Sequence, residues 1–307
     1  MSGRLPLWRR LRRWFWYQVA VTMLATVHAM PPTAGRRLCR SLAAVGLRLR
    51  RRERELARRN LTLVYPQRSL AWREDLLGEA AAALGENLYA ALTVERQAAR
   101  GFPAVVEAAG PDGCGLVDRL RDLQQARRGV ILLAAHIGCW ELLGAWLAAR
   151  LDRPAVITGT VRNPAVNHLL QARRRRLGLE PLPRDAGARP LLRALARGAV
   201  VGVLLDQNTG AANIEAPFLG HPAPTPTGPL RVAKRYDVPL VPAALVREDD
   251  RWVVHHLAAI EPAAAPDVAA LATVCNAALA RLVRRNPAQW VWFHDRWGLQ
   301  ARTRRVS

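Results

Sequence analysis

Serine is scarce in this chain, and its placement excludes one large class of enzymes. The 307 residues hold four serines, Ser2, Ser41, Ser69 and Ser307, and none lies inside the α/β-patterned stretch of about residues 104–285. No Gly-x-Ser-x-Gly sequence occurs, so a serine hydrolase built on a nucleophile elbow is excluded. The phosphate-loop pattern, a Gly-x-Gly-x-x-Gly after a strand, and His-Glu-x-x-His are also missing. The four cysteines, Cys39, Cys114, Cys139 and Cys275, show neither metal-ligand spacing nor the density of a disulfide framework, which fits free thiols in a reducing compartment. Lysine is nearly absent: Lys234 is the one lysine among 46 basic residues.

Arginine supplies nearly all the positive charge. The formal net charge is +22, and residues 1–60 carry fifteen arginines against Glu53 and Glu55. Such a basic end implies an anionic partner, whether membrane lipid, nucleic acid or an acidic carrier protein. The aromatic run Trp14-Phe15-Trp16-Tyr17 opens a mostly apolar stretch that ends at Met30, before Pro31-Pro32. As a helix that stretch spans about 25 Å, short of the ~30 Å hydrocarbon core. Aromatics beside arginines suit the headgroup boundary. Residues 1–34 are therefore read as a membrane-anchoring segment, spanning or lying flat, and residues 35–307 as the catalytic domain.

A hydrophobic content of 50% over this length excludes general disorder and allows a sizeable core. Leu38, Leu42, Val45, Leu49 and Leu56 predict a basic amphipathic helix over 36–60. Ser69 is placed to cap a second helix reaching about residue 97. From about 104 the pattern alternates strand and helix. Strands are predicted at 105–107, 130–135, 155–158, 199–205, 240–246 and 252–257. Helices are predicted at 116–126, 137–149, 164–177, 188–197, 228–236 and 267–285. The fold class is α/β, with a mostly parallel sheet flanked by helices and a membrane-associated helix at the amino terminus.

The chemistry centres on the run from Val130 into His136, with Glu141 five residues later. A buried parallel strand feeding a helix places the intervening turn at the carboxyl edge of the sheet, where α/β proteins bind ligands. Residues five apart on one helix point about 140° away from each other. Glu141 thus reaches His136 only if the histidine sits in the turn ahead of the helix. In that geometry Glu141 accepts the Nδ1 proton and leaves Nε2 free as a base. His256 and Glu261 repeat the spacing but run into Pro262, without the strand-to-helix context. Cys139, on the first helical turn beside Trp140, reads as packing. A histidine–carboxylate pair without a protein nucleophile suits deprotonation of a substrate hydroxyl that itself attacks an activated acyl group.

The block Ala135-His136-Ile137-Gly138-Cys139-Trp140-Glu141-Leu142 resembles the H-x4-D/E block of the lysophospholipid acyltransferase superfamily, and more narrowly the bacterial lipid A biosynthesis (late) acyltransferases. Further blocks follow in that family's order: Arg162-Asn163-Pro164, Asp206-Gln207, residues 216–223 with Thr225, Pro239-Leu240-Val241-Pro242, and Trp292-x-His294-x-Arg296-Trp297. The likeness covers about residues 35–300. It implies a glycerol-3-phosphate acyltransferase-like fold with His136 as general base and Glu141 as its orienter. Asp206 and Gln207 are implied to shape the acceptor site, Arg162 beside Asn163 to contact acceptor phosphate or the developing oxyanion, and Thr227-Gly228 to offer backbone amides to an anion. The implied partners are acyl-carrier protein or acyl-CoA as donor, a glycolipid acceptor such as a lipid A precursor, and anionic membrane lipid, with no nucleic acid, no metal and no cofactor. A phosphatidylinositol mannoside or ornithine-type lipid is the alternative acceptor, and a non-catalytic basic binding protein the alternative class. The implied location is the cytoplasmic face of a bacterial inner membrane. Gly159 departs from the pattern, standing where the family usually has arginine, and Leu219 stands where a second phenylalanine is common. Either Arg162 takes over that charge or the acceptor differs.

Overall fold

The computed structural model describes residues 6–299 except 112, 127, 128 and 211. The expectations for residues 1–5 and 300–307 lie outside the described residues. Five helices come first: α1 (Leu7–Ala29), α2 (Pro32–Leu49), α3 (Arg51–Val64), α4 (Leu70–Leu92) and α5 (Val94–Ala98). The α/β region follows as β1 (Val105–Glu107), α6 (Leu116–Gln125), β2 (Val130–Ala134), α7 (Trp140–Ala148), β3 (Ala155–Thr158), α8 (Pro164–Arg176), β4 (Glu180–Pro183), α9 (Arg189–Ala196) and β5 (Val200–Leu204). It continues with the hairpin β6 (Asn213–Phe218) and β7 (His221–Pro226), then α10 (Gly228–Tyr236), β8 (Leu240–Glu248), β9 (Arg251–His256) and α11 (Val268–Arg285).

Seven strands form the main sheet in the order β1-β9-β8-β2-β5-β3-β4. All neighbours run parallel except β8 and β9, which form an antiparallel pair. The sheet is covered on both faces, as its unbroken apolar strands require. On β2, Ile131 and Leu133 join the core shared with Leu230 of α10 and Leu271 and Leu279 of α11. Val130 and Leu132 join the opposite core with Leu116 and Leu120 of α6 and Trp146 of α7. Alternate residues of one strand thus bind two helical layers into a three-layer sandwich.

Several boundaries differ from the expectation. The helix foreseen over 36–60 is two helices, broken at Arg50, whose ψ of 76° leaves the helical region. Ser69 does cap α4, accepting from the Trp72 amide at 3.1 Å, but that helix stops at Thr93. The helix predicted to begin at 137 begins at Trp140. Gly138 has φ +57°, and a Cβ there would lie 1.8 Å from the Leu245 carbonyl oxygen, so the turn requires glycine. Residues 136–139 are clamped instead. The Cys139 amide donates to Leu245 at 3.0 Å, the Gly138 amide to Gln289 at 2.9 Å, and the Val291 amide to His136 at 3.1 Å. Strand β4 and the β6–β7 hairpin had no alternating apolar pattern to reveal them: β4 carries two prolines and β7 three.

Buried polar side chains tie the carboxyl-terminal segment to the rest. Asn60 donates to the Trp292 and His294 carbonyls at 2.8 and 2.9 Å. Arg296 is fully buried, donates to Thr225 Oγ1 at 3.1 Å and lies 5.0 Å from the Phe218 ring centroid. Burial lowers its pKa to about 10. At the amino terminus, α1 rests against α8, where the Asn163 side chain donates to the Arg13 carbonyl at 2.7 Å. Trp8, Leu11, Trp14, Phe15 and Trp16 of α1 stay exposed. None of the helices among the described residues is long and apolar enough to cross a membrane.

Candidate active site

Register creates the site. Strands β2 and β5 are parallel neighbours, with Ala134 opposite Leu204. Two residues beyond each, His136 and Asp206 meet at the carboxyl edge of the sheet. The His136 Nδ1 lies 2.8 Å from Asp206 Oδ1, and the His136 amide donates to Oδ2 at 2.8 Å. The Trp290 indole N–H donates to the same Oδ2 at 2.7 Å. Asp206 is 1% exposed. Burial alone raises a carboxyl pKa, but the His136 charge, its two hydrogen bonds and the Trp290 donor outweigh it and hold Asp206 below the usual carboxylate range. Asp206 is therefore an acceptor only, so Nδ1 carries the proton and the Nε2 lone pair is free.

This corrects the expected role of Glu141. Its carboxylate forms a two-pronged ion pair with Arg174 of α8, through Nε at 3.1 Å and through Nη2. The late start of α7 explains the difference: the clamped turn hands His136 to β5 rather than back over its own helix. Trp140 instead packs edge-on against the imidazole, with ring centroids 4.9 Å apart.

His136 lines a cavity of about 400 Å³. Its walls are mostly apolar, among them Ile157, Leu182, Leu191, Val203 and Leu205, while Arg184, Gln207 and Thr209 supply polar groups. The Thr209 hydroxyl is buried without a hydrogen-bond partner. Gly228 also lines the cavity, at the first turn of α10, where backbone amides lack partners within the helix. Of the residues expected from sequence, His136, Asp206, Gln207 and Gly228 come together here. Thr227 is buried beside them, its hydroxyl donating to the Ala212 carbonyl at 3.1 Å. Asn163 caps α8, accepting from the Ala165 amide at 3.2 Å, and with exposed Arg162 stays outside the cavity lining. Arg184 approaches within 4.0 Å of where a Gly159 side chain would begin, so a guanidinium stands near that glycine.

The sequence reading assigned Asp206 to the acceptor rather than to His136, and did not single out Trp290, Arg174, Arg184 or Thr209. A hint was available for Asp206, since both apolar runs lead directly into a titratable group. Strand adjacency was not. His256 of the second His-x4-Glu pair lies at the end of β9 and contacts the Cys114 carbonyl at 3.1 Å, away from the cavity.

Comparison with known proteins gives the family of the chain. The family model for bacterial lipid A biosynthesis acyltransferases matches residues 1–298. The chain belongs to that family. It is 27% identical over 252 residues to the lipid A biosynthesis palmitoleoyltransferase of Escherichia coli K12, covering 81% of this chain and 79% of that one. It is 26% identical over 295 residues to the lipid A biosynthesis lauroyltransferase of the same organism, covering 93% and 92%. A phosphatidylinositol mannoside acyltransferase of Mycobacterium tuberculosis (strain CDC 1551 / Oshkosh) is 26% identical over 187 residues, which cover 60% of this chain and 59% of that protein. The match thus spans about three-fifths of that relative's length.

Within this family member, Cys139 is unsuited to attack. It is fully buried, its sulfur faces the Asn87 carbonyl at 3.7 Å, and burial pushes its pKa up to about 12. Cys114 is exposed, whereas Cys39 and Cys275 are buried. Brief treatment of the folded protein with iodoacetamide at neutral pH should therefore alkylate Cys114 and spare Cys139, as read by peptide mass mapping. Early labelling of Cys139 would contradict the packing role.

Proposed function

We propose that this protein transfers a fatty acyl chain from a thioester, carried by acyl-carrier protein or coenzyme A, to a hydroxyl of a lipid A precursor or related glycolipid. The observation that carries the reading is the His136–Asp206 pair, whose imidazole lines a mostly apolar cavity. The cavity volume lies in the range usual for small-molecule sites, and its hydrocarbon walls suit an acyl chain. The relatives include both lipid A and phosphatidylinositol mannoside acyltransferases, so a mannoside acceptor is the second reading.

In the proposed mechanism Nε2 of His136 takes the proton of the acceptor hydroxyl as its oxygen attacks the thioester carbonyl. Asp206 stabilises the imidazolium that forms and fixes the ring; it does not take the proton itself. The oxyanion is met at the amino end of α10, where the Gly228 N–H and the helix dipole favour negative charge. Collapse of the tetrahedral adduct expels the thiolate, which recovers a proton from His136. Direct transfer needs neither an enzyme nucleophile nor a resident cofactor. Thr209 and Gln207 are the polar contacts for substrate. Glu141 and Arg174 act as positioning residues that join α7 to α8, and Arg184 takes the charge role expected near Gly159.

We assign α1 to the membrane surface, lying flat at the cytoplasmic face of a bacterial inner membrane. The support is its exposed Trp8, Leu11, Trp14 and Phe15 beside Arg9, Arg10 and Arg12.

His136→Ala should lower acyl transfer by about a thousandfold, and Asp206→Asn by about a hundredfold, the range expected for a general base and for its orienter. Transfer of labelled acyl chains to purified acceptor, by variants whose unfolding temperature shows them folded, reads this directly. Near-normal turnover of His136→Ala removes the mechanism. Separately, replacing Trp8, Trp14 and Phe15 together by serine should weaken sedimentation with anionic vesicles. Undiminished sedimentation refutes the placement of α1.

A further inference from the structure

A second cavity, of about 160 Å³, opens where the start of α2 meets α4, α5 and the β8–β9 pair. Four guanidiniums, those of Arg36, Arg96, Arg100 and Arg247, line it against one carboxylate, Glu86. Arg40 adds a fifth positive charge, 3.8 Å from Glu86. Neutralising one carboxylate does not require so many arginines. Glu86 lies 3.6 Å from Arg247 and 4.0 Å from Arg36, separations beyond hydrogen-bond reach. Arg36 Nε, Arg247 Nη1 and the Glu86 Oε2 that they face are all buried with no hydrogen-bond partner, while Arg247 Nη2 donates to Asp250 at 3.0 Å. Buried charged groups held just beyond hydrogen-bond reach of one another are costly, and the excess of guanidinium donors over the one carboxylate oxygen leaves capacity for a further acceptor. The aromatic walls are engaged too, with Arg36 5.6 Å from the Tyr89 ring and Arg247 5.9 Å from that of Trp252.

We infer that this cavity is a binding site for a phosphate group. A tetrahedral anion accepts several guanidinium hydrogen bonds at once, which a single glutamate at this distance does not. The position adds to the case. The cavity wall includes Pro32, directly after α1, and Arg96 donates to the carbonyl of His28 on that helix. A filled site therefore braces the end of the helix whose aromatic face is exposed. Cys139, which opens α7, has its sulfur against the carbonyl of Asn87, next to Glu86 in α4. The inference rests on these arginines alone and stands whether or not the chain transfers acyl groups.

Thermal unfolding of the full chain in detergent tests it, with inorganic phosphate compared against chloride at equal ionic strength. Wild type should show a saturable rise in Tm with phosphate. Arg100 is exposed, so Arg100→Gln folds, and the half-saturating phosphate concentration should increase about tenfold. Arg36→Lys, which keeps the charge but loses the Nε donor, is the second variant and should fall between the two. No saturable rise, or an identical rise in both variants, overturns the site. Vesicles of phosphatidylcholine with and without phosphatidylglycerol then identify the source of the phosphate. If Arg100→Gln loses the preference for phosphatidylglycerol vesicles, the ligand is a lipid headgroup. If it keeps that preference while losing the phosphate response, the ligand is a soluble phosphate.

Discussion

A carboxylate with almost no exposure sits at the carboxyl edge of the central sheet, and the surrounding structure is arranged to keep it charged. Three donors converge on Asp206: the His136 amide, the His136 ring and the Trp290 indole. Each comes from a different constraint. The amide is placed by the β2–β5 register, the ring by the clamped turn at Gly138, and the indole by the carboxyl-terminal segment. Losing any one leaves a buried charge short of a partner, a penalty of about 1–3 kcal/mol. That dependence explains why distant parts of the chain are bound so firmly together. Asn60 in α3, the buried Arg296 and the β6–β7 hairpin all hold the segment that delivers Trp290. The His136 imidazole thus inherits its orientation from nearly the whole length of the molecule.

The same arrangement separates two jobs that sequence spacing had merged. His136 and Glu141 are five residues apart and were expected to touch. In the folded chain one carboxylate orients the imidazole, while the other is paired with Arg174 across two helices. Much of the fold was legible. Apolar runs of four to seven residues marked the buried strands, Ser69 marked a helix start, and the turn after β2 was correctly placed at the sheet edge. The rest was not, for identifiable reasons. Sheet order brings Asp206 to His136, and no local pattern encodes order. Strand β4 and the hairpin are written in prolines, which hide strand periodicity. Gly138 looked like an ordinary residue near a helix start, although its lack of a side chain admits the Leu245 carbonyl and delays the helix by three residues.

Charge is used in two ways across the molecule. On α1, Arg9, Arg10 and Arg12 are exposed among aromatics, an arrangement suited to long-range attraction by an anionic surface. Around Glu86 the arginines are partly buried and short of acceptors, where directed hydrogen bonds to one compact anion are the better use. The cavity beside His136 is the contrast: mostly apolar walls, one guanidinium from Arg184, and one imidazole.

The central claim is that Asp206, and not Glu141, sets the tautomer of His136. Nitrogen-15 NMR of the His136 ring at a pH where it is neutral tests this most directly. The account predicts protonated Nδ1 with a strongly downfield proton, bare Nε2, and a signal that moves in Asp206→Asn but stays in Glu141→Gln. A ring protonated at Nε2, or an Nδ1 proton that responds to Glu141→Gln and ignores Asp206→Asn, would contradict it.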